Sequence, residues 1–171
     1  MGNHKKLNRL TRNALLTGAA LIIFTIEASL PAPIPVPGVK LGLSNIITLY
    51  SMFALTPADT LAILCARLFL GSLFAGSLST LMYSAAGGIC CYLVMLLLRR
   101  LLSERQIWIA GVCGAVAHNL GQILVAAAVT QTPALLAYFP VLLLSGMLAG
   151  LFTGFCSQFL IHRLILLQKD P

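Results

Sequence analysis

The sequence is short of charge, and shortest of acid. Four acidic residues stand against eleven Lys and Arg among 171, and charged residues make up 9% of the chain, where a soluble domain carries about 25%. With 59% hydrophobic residues, a chain this small has too little polar surface to cover itself in water. Lipid is the solvent that removes the difficulty, so the bilayer is its first partner. The formal charge of +7 does not form a basic stripe interleaved with aromatics, which excludes nucleic acid as a partner. The five cysteines (Cys65, Cys90, Cys91, Cys113 and Cys156) are odd in number, lie inside apolar stretches and lack zinc-site spacing. They read as small packing residues, and neither a metal nor a cofactor is expected.

What the chain does have is long apolar runs. Six segments can be drawn, at about 10–30, 39–55, 58–74, 78–98, 107–129 and 137–167, which make residues 1–171 one transmembrane domain. Pro31, Pro33, Pro35 and Pro37 end the first segment and impose an extended connection. Pro57 and Asp59 open the third as helix-start residues. Gly71, Ser72, Gly76 and Ser77 mark a tight turn into the fourth. A crossing needs roughly 20 residues, so segments two and three are short: one of them is expected to be tilted, broken or partly re-entrant, and a count of four or five crossings is the main rival.

The basic residues test this count. Lys5, Lys6, Arg9 and Arg12 precede the first segment. Arg99, Arg100 and Arg105 lie in the fourth connection, and Arg163 and Lys169 close the chain. With six crossings all three clusters fall on one side, and the other side holds only Lys40, so the positive-inside rule puts both termini in the cytoplasm. The basic, apolar N-terminus has an apolar run longer than a signal-peptide core and is expected to stay as the first helix.

Two small-residue patterns stand out. Gly146, Gly150 and Gly154 line one face of segment six and permit a close helix crossing, either within the bundle or between copies. Ala14 and Gly18 form a weaker version in segment one.

Polar residues inside the apolar runs are the best functional clues, because a charge at the bilayer centre costs at least about 2.5–3.5 kcal/mol. They are Glu27, Lys40, Ser44, Asn45, Arg67, His118, Asn119 and Gln122. At about 1.5 Å per residue, all fall between the midplane and the outer surface, leaving the inner half almost purely apolar. That pattern suits a pocket open to the outside better than a channel. Individually, Glu27 and Lys40 could be an interfacial pair, Arg67 a partner for Glu27, His118 a bundle hydrogen-bonding residue and Asn119 a helix bridge. Together, with three basic groups against one acid, they suit an anionic or electron-rich ligand.

The run from Leu30 to Asn45, Leu-Pro-Ala-Pro-Ile-Pro-Val-Pro-Gly-Val-Lys-Leu-Gly-Leu-Ser-Asn, resembles the signature of the Gx transporter family, which also carries the label heptaprenyl diphosphate synthase component I. The resemblance extends over nearly the whole chain. That family is similar to the substrate-binding S components of energy-coupling factor transporters. It implies an all-α bundle of six transmembrane helices in the bacterial cytoplasmic membrane, without ATPase motifs. An outward pocket capped by the first loop would bind substrate through Glu27, Lys40, Asn45, Arg67, His118, Asn119 and Gln122. It also implies docking on a transmembrane coupling subunit with two ATPases, through small residues on helix one that Ala14 and Gly18 match in kind, with Gly in place of the usual second Ala.

The synthase label implies a different role. Trans-prenyl synthases hold magnesium and diphosphate on Asp-rich motifs, whereas Asp59 and Asp170 lie far apart in this sequence. No catalytic residue is expected. The two readings are therefore a binding subunit for small-molecule uptake and a non-catalytic accessory of prenyl or quinone biosynthesis, which would use the Arg99–Arg105 loop to hold a soluble synthase.

Overall fold

A computed structural model describes residues 2–30, 40–75 and 78–169. These form six α-helices: α1 Gly2–Ala28, α2 Asn45–Ala54, α3 Pro57–Ala75, α4 Leu78–Leu98, α5 Ile107–Val129 and α6 Phe139–Lys169. Short 3-10 turns, Glu104–Gln106 and Pro133–Tyr138, lead into α5 and α6, and no strand occurs among the described residues. Below, the end of the bundle that carries the chain termini is the terminal end, and the opposite one the far end.

Local chemistry explains most boundaries. α3 begins on Pro57, where a missing N–H costs nothing. Thr56 caps it: its hydroxyl accepts the Asp59 N–H at 3.2 Å and donates to Asp59 Oδ2 at 2.8 Å. Ser103 and Gln106 make the reciprocal capping pair that launches α5. The turn expected at Gly71 and Ser72 is instead helical, because α3 runs on to Ala75. Glycine is tolerated inside a helix whose neighbours pack it, and here the Phe24 ring lies against Gly71. Gly76 and Ser77 lie outside the described residues.

The second segment departs most from its expected bounds. Instead of 39–55, its helix spans only ten residues, Asn45–Ala54, roughly 15 Å and about half a hydrocarbon core. Lys40 to Ser44 are not helical, and Gly42 takes φ +83°, a conformation that only glycine adopts without strain.

α5 is the central element and packs most extensively on α4 and α6. Leu49, Met52, Leu64, Cys91, Met95 and Ile107 form the main apolar core, and Tyr83, Ile123, Ala126 and Leu142 a second one. The α5–α6 crossing is close because it is made by glycine. A Cβ on Gly150 would stand 2.7 Å from Val112 Cα, and one on Gly154 2.8 Å from Trp108 Cα. A Cβ on Gly111 would stand 2.7 Å from the Gly150 carbonyl oxygen. The Gly146–Gly150–Gly154 face is thus occupied inside the bundle. Trp108 completes the contact by stacking on Phe155, with ring centres 5.9 Å apart.

Large apolar side chains cover the outside. Leu15, Ile22, Phe69, Leu93, Leu97, Leu144, Phe152 and Phe159 are each more than half exposed, far beyond the apolar patches of water-soluble monomers. Five of the helices, all but α2, are long and apolar enough to cross a membrane. The protein is a multi-pass membrane protein built as a helical bundle.

Candidate functional site

Non-helical backbone at membrane depth survives only where protein buries it or a cavity hydrates it. The break before α2 is buried at Gly42 and Ser44 and half-buried at Lys40, Leu41 and Leu43, and other helices supply its hydrogen bonds. Glu27 of α1 accepts the Gly42 N–H through Oε1. Gln122 of α5 accepts the Lys40 N–H through Oε1 at 3.3 Å. From α3, the Arg67 guanidinium donates to Ser44 Oγ, and to Asn45 Oδ1 at 3.4 Å. His118 lies against Gly42 on one side and Gly87 of α4 on the other, where a Cβ at either position would come within 3 Å of the imidazole. Two glycines therefore make room for this ring. Glu27, Ser44, Asn45, Arg67, His118 and Gln122 are all at most 4% exposed.

Each of four side chains in this cluster is held at one end and unpartnered at the other. Glu27 Oε2, Asn45 Nδ2, Arg67 Nε and Gln122 Nε2 are buried and have no hydrogen-bond partner. Leaving such groups unmatched costs about 1–3 kcal/mol apiece, which marks them as ligand or water contacts. A crevice of about 10 Å³, lined by Phe24, Leu68, Ser72, Thr80, Leu81 and Ser84, reaches Arg67.

Two pairings weighed from the sequence are not made, and Asn119 takes the helix-bridging role. Lys40 does not pair with Glu27: its ammonium sits 3.4 Å from the centre of the Phe24 ring, a cation–π contact. Arg67 does not pair with Glu27 either; its partners are the neutral Ser44 and Asn45. Asn119 turns away from the cluster and donates to the Leu142 carbonyl at 2.7 Å, tying α5 to α6. Adjacent helical residues point about 100° apart, and that step from His118 turns the Asn119 amide to α6, whereas His118 and Gln122, four apart, both face the cluster.

The terminal end is not purely apolar either. Asp59, 2% exposed, takes Arg9 Nε at 2.6 Å and Asn13 Nδ2 at 2.7 Å on one oxygen, with Arg12 at 3.7 Å from the other. These are the ion pairs found among the described residues, and they fasten the start of α1 to the start of α3. Sequence reading treated Arg9 and Arg12 only as topology signals; the signal for the latch was the acid in the first turn of α3. At the same end, Arg12, Tyr50, Phe53, Glu104, Ile107 and Ile161 are among the residues lining a cavity of about 390 Å³. Ala14 is exposed on α1, and a Cβ on Gly18 would meet nothing within 4 Å. Ser44, Gly42, Gly87 and Phe24 are further site residues, and only Ser44 had stood out in the sequence. No group of His, Cys, Asp and Glu among the described residues could hold a metal ion.

No curated protein and no solved structure matches the chain. The family model described as heptaprenyl diphosphate synthase component I matches residues 16–160, from the middle of α1 nearly to the end of α6. The chain belongs to the heptaprenyl diphosphate synthase component I family.

Proposed function

We propose that this protein is the substrate-binding membrane subunit of an uptake system of the energy-coupling factor type, resident in a bacterial cytoplasmic membrane with both termini in the cytoplasm. The observation that carries the reading is the buried polar cluster. Four helices bring unpartnered hydrogen-bonding ends to one place beside a helix break, a costly arrangement for a purely structural bundle. The far end then faces outward, and the loop 31–39, which lies outside the described residues, stands next in sequence to the cluster at Lys40. The terminal end, with the open Ala14–Gly18 face of α1, is the docking side for a transmembrane coupling subunit and its ATPases.

Affinity purification from native membranes tests the function directly. Co-purifying ATPases with a transmembrane subunit are the expected result; a soluble prenyl synthase in their place would favour the accessory role. Topology is a second check. Reporters fused at Ser103 and after Lys169 are expected to read cytoplasmic and one at Gln131 external, and a cytoplasmic Gln131 would remove the outward-facing cluster.

Docking makes a third expectation. Gly18→Leu is expected to prevent assembly with the coupling subunit while the isolated subunit keeps its melting temperature. The added side chain enters open space within the subunit but blocks a close helix approach from outside. Normal assembly of the Leu variant would move the docking face elsewhere.

A further inference from the structure

The unpartnered atoms of the cluster have a definite hydrogen-bonding sense, because the held end of each side chain determines the free one. Asn and Gln amides can be placed either way round in isolation. Here Asn45 must present Oδ1 to the Arg67 guanidinium, which can only donate, so Nδ2 is the free end. Gln122 must present Oε1 to the Lys40 N–H, so Nε2 is free. Arg67 uses both terminal nitrogens on Ser44 and Asn45 and keeps Nε free. Glu27 binds the Gly42 N–H with Oε1 and keeps Oε2. The free set of fixed sense is therefore three donors, from α2, α3 and α5, and one acceptor, from α1; His118 Nδ1 is also unpartnered and serves as donor or acceptor according to its tautomer.

A ligand satisfying this set must offer acceptors to the three donors and a donor to the carboxylate. An anion that only accepts would leave Glu27 Oε2 unmatched and would place its own charge beside that carboxylate, a like-charge contact in a poorly hydrated site. We infer that the cargo of this site is a small molecule carrying an N–H or ammonium donor beside two or more carbonyl or carboxylate oxygens. Amino-acid-like zwitterions and cyclic amides share that chemistry. The inference rests on the uptake-subunit reading and narrows it, since basic groups alone had favoured any anion.

Two isosteric variants keep the held end of a side chain and invert the free one. Glu27→Gln still accepts the Gly42 N–H but turns the free acceptor into a donor. Gln122→Glu still accepts the Lys40 N–H but turns the free donor into an acceptor. The detergent-purified full chain, wild type and both variants, is incubated with the ultrafiltrate of yeast extract. Retained molecules are released and identified by mass spectrometry, and melting curves are recorded in parallel.

The expected result is retention by the wild type of a molecule with donor and acceptors in one polar group. Its occupancy falls about tenfold or more in each variant, the loss of one hydrogen bond to a charged group, in protein that still melts cooperatively above the temperature of the binding step. The molecule's identity then separates zwitterion from cyclic amide. Retention of a molecule that only accepts, or undiminished retention by Glu27→Gln, would overturn the inference and leave the uptake reading standing. No retained molecule in the wild type would remove the uptake reading and this inference together. If Glu27→Gln does not fold, Gln122→Glu decides: undiminished binding there overturns the donor assignment.

Discussion

Glu27→Ala is expected to destabilise the folded protein by at least about 3 kcal/mol. Two losses combine. The Gly42 N–H, buried at the helix break, loses its acceptor, at a cost of about 1–3 kcal/mol. Arg67 and Lys40 also lose the one acidic side chain in their cluster, leaving buried positive charge uncompensated. Glu27→Gln retains the first interaction and loses only the second, so its unfolding is expected between those of the wild type and the alanine variant. Thermal unfolding followed by circular dichroism gives the order. An alanine variant that melts with the wild type would show that the Lys40–Ser44 break is held by something other than Glu27.

Gly150→Val is expected to do still more damage, preventing α5 and α6 from closing. A Cβ at this position would stand 2.7 Å from Val112 Cα, 2.8 Å from the Gly111 oxygen and 2.9 Å from Ala115 Cβ. Two of these are backbone atoms of the central helix, and none can rotate away. Overpacking against yielding side chains costs about 1–3 kcal/mol; against backbone the helices themselves must part, with loss of the dispersion contacts that drive association in lipid. Little monodisperse protein should be recovered. Gly18→Leu is the control, since the same kind of change on α1 meets open space. A normally folded Gly150→Val variant would mean that α5 and α6 do not cross through their glycines.

These two sites differ in how far the sequence reveals them. The glycine spacing of α6 announces a close crossing, because four-residue spacing is a face in any helix; which helix fills it is a matter of tertiary packing. Depth along a helix could also be read, since rise per residue is constant, and it placed Glu27, Arg67, His118 and Gln122 near one level. Azimuth could not. Depth grouped Asn119 with His118, although one residue of rotation sends its amide to α6. Nor could depth show that Glu27 serves the Gly42 backbone and not Arg67. The shortness of α2 was hidden by the apolar residues before it. Hydropathy sees Val39, Leu41 and Leu43 as membrane-compatible, whereas the backbone turns at Gly42 to reach partners far away in sequence. Asp59 was legible as a helix-start residue but not as the holder of Arg9 and Asn13, 50 and 46 positions away.

The α5–α6 crossing has an optical consequence. Trp108 is the chain's single tryptophan, and it stacks on Phe155 where Gly154 touches its backbone. The indole emission of this protein therefore comes from one place, the seam between those two helices at the terminal end. It should shift sharply when α6 leaves α5. Filling of the polar cluster, bounded by α1, α2, α3 and the far part of α5, should leave it nearly unchanged. A fluorophore with that placement makes intrinsic emission a gauge of bundle integrity, and occupancy is better followed with a label near Phe24.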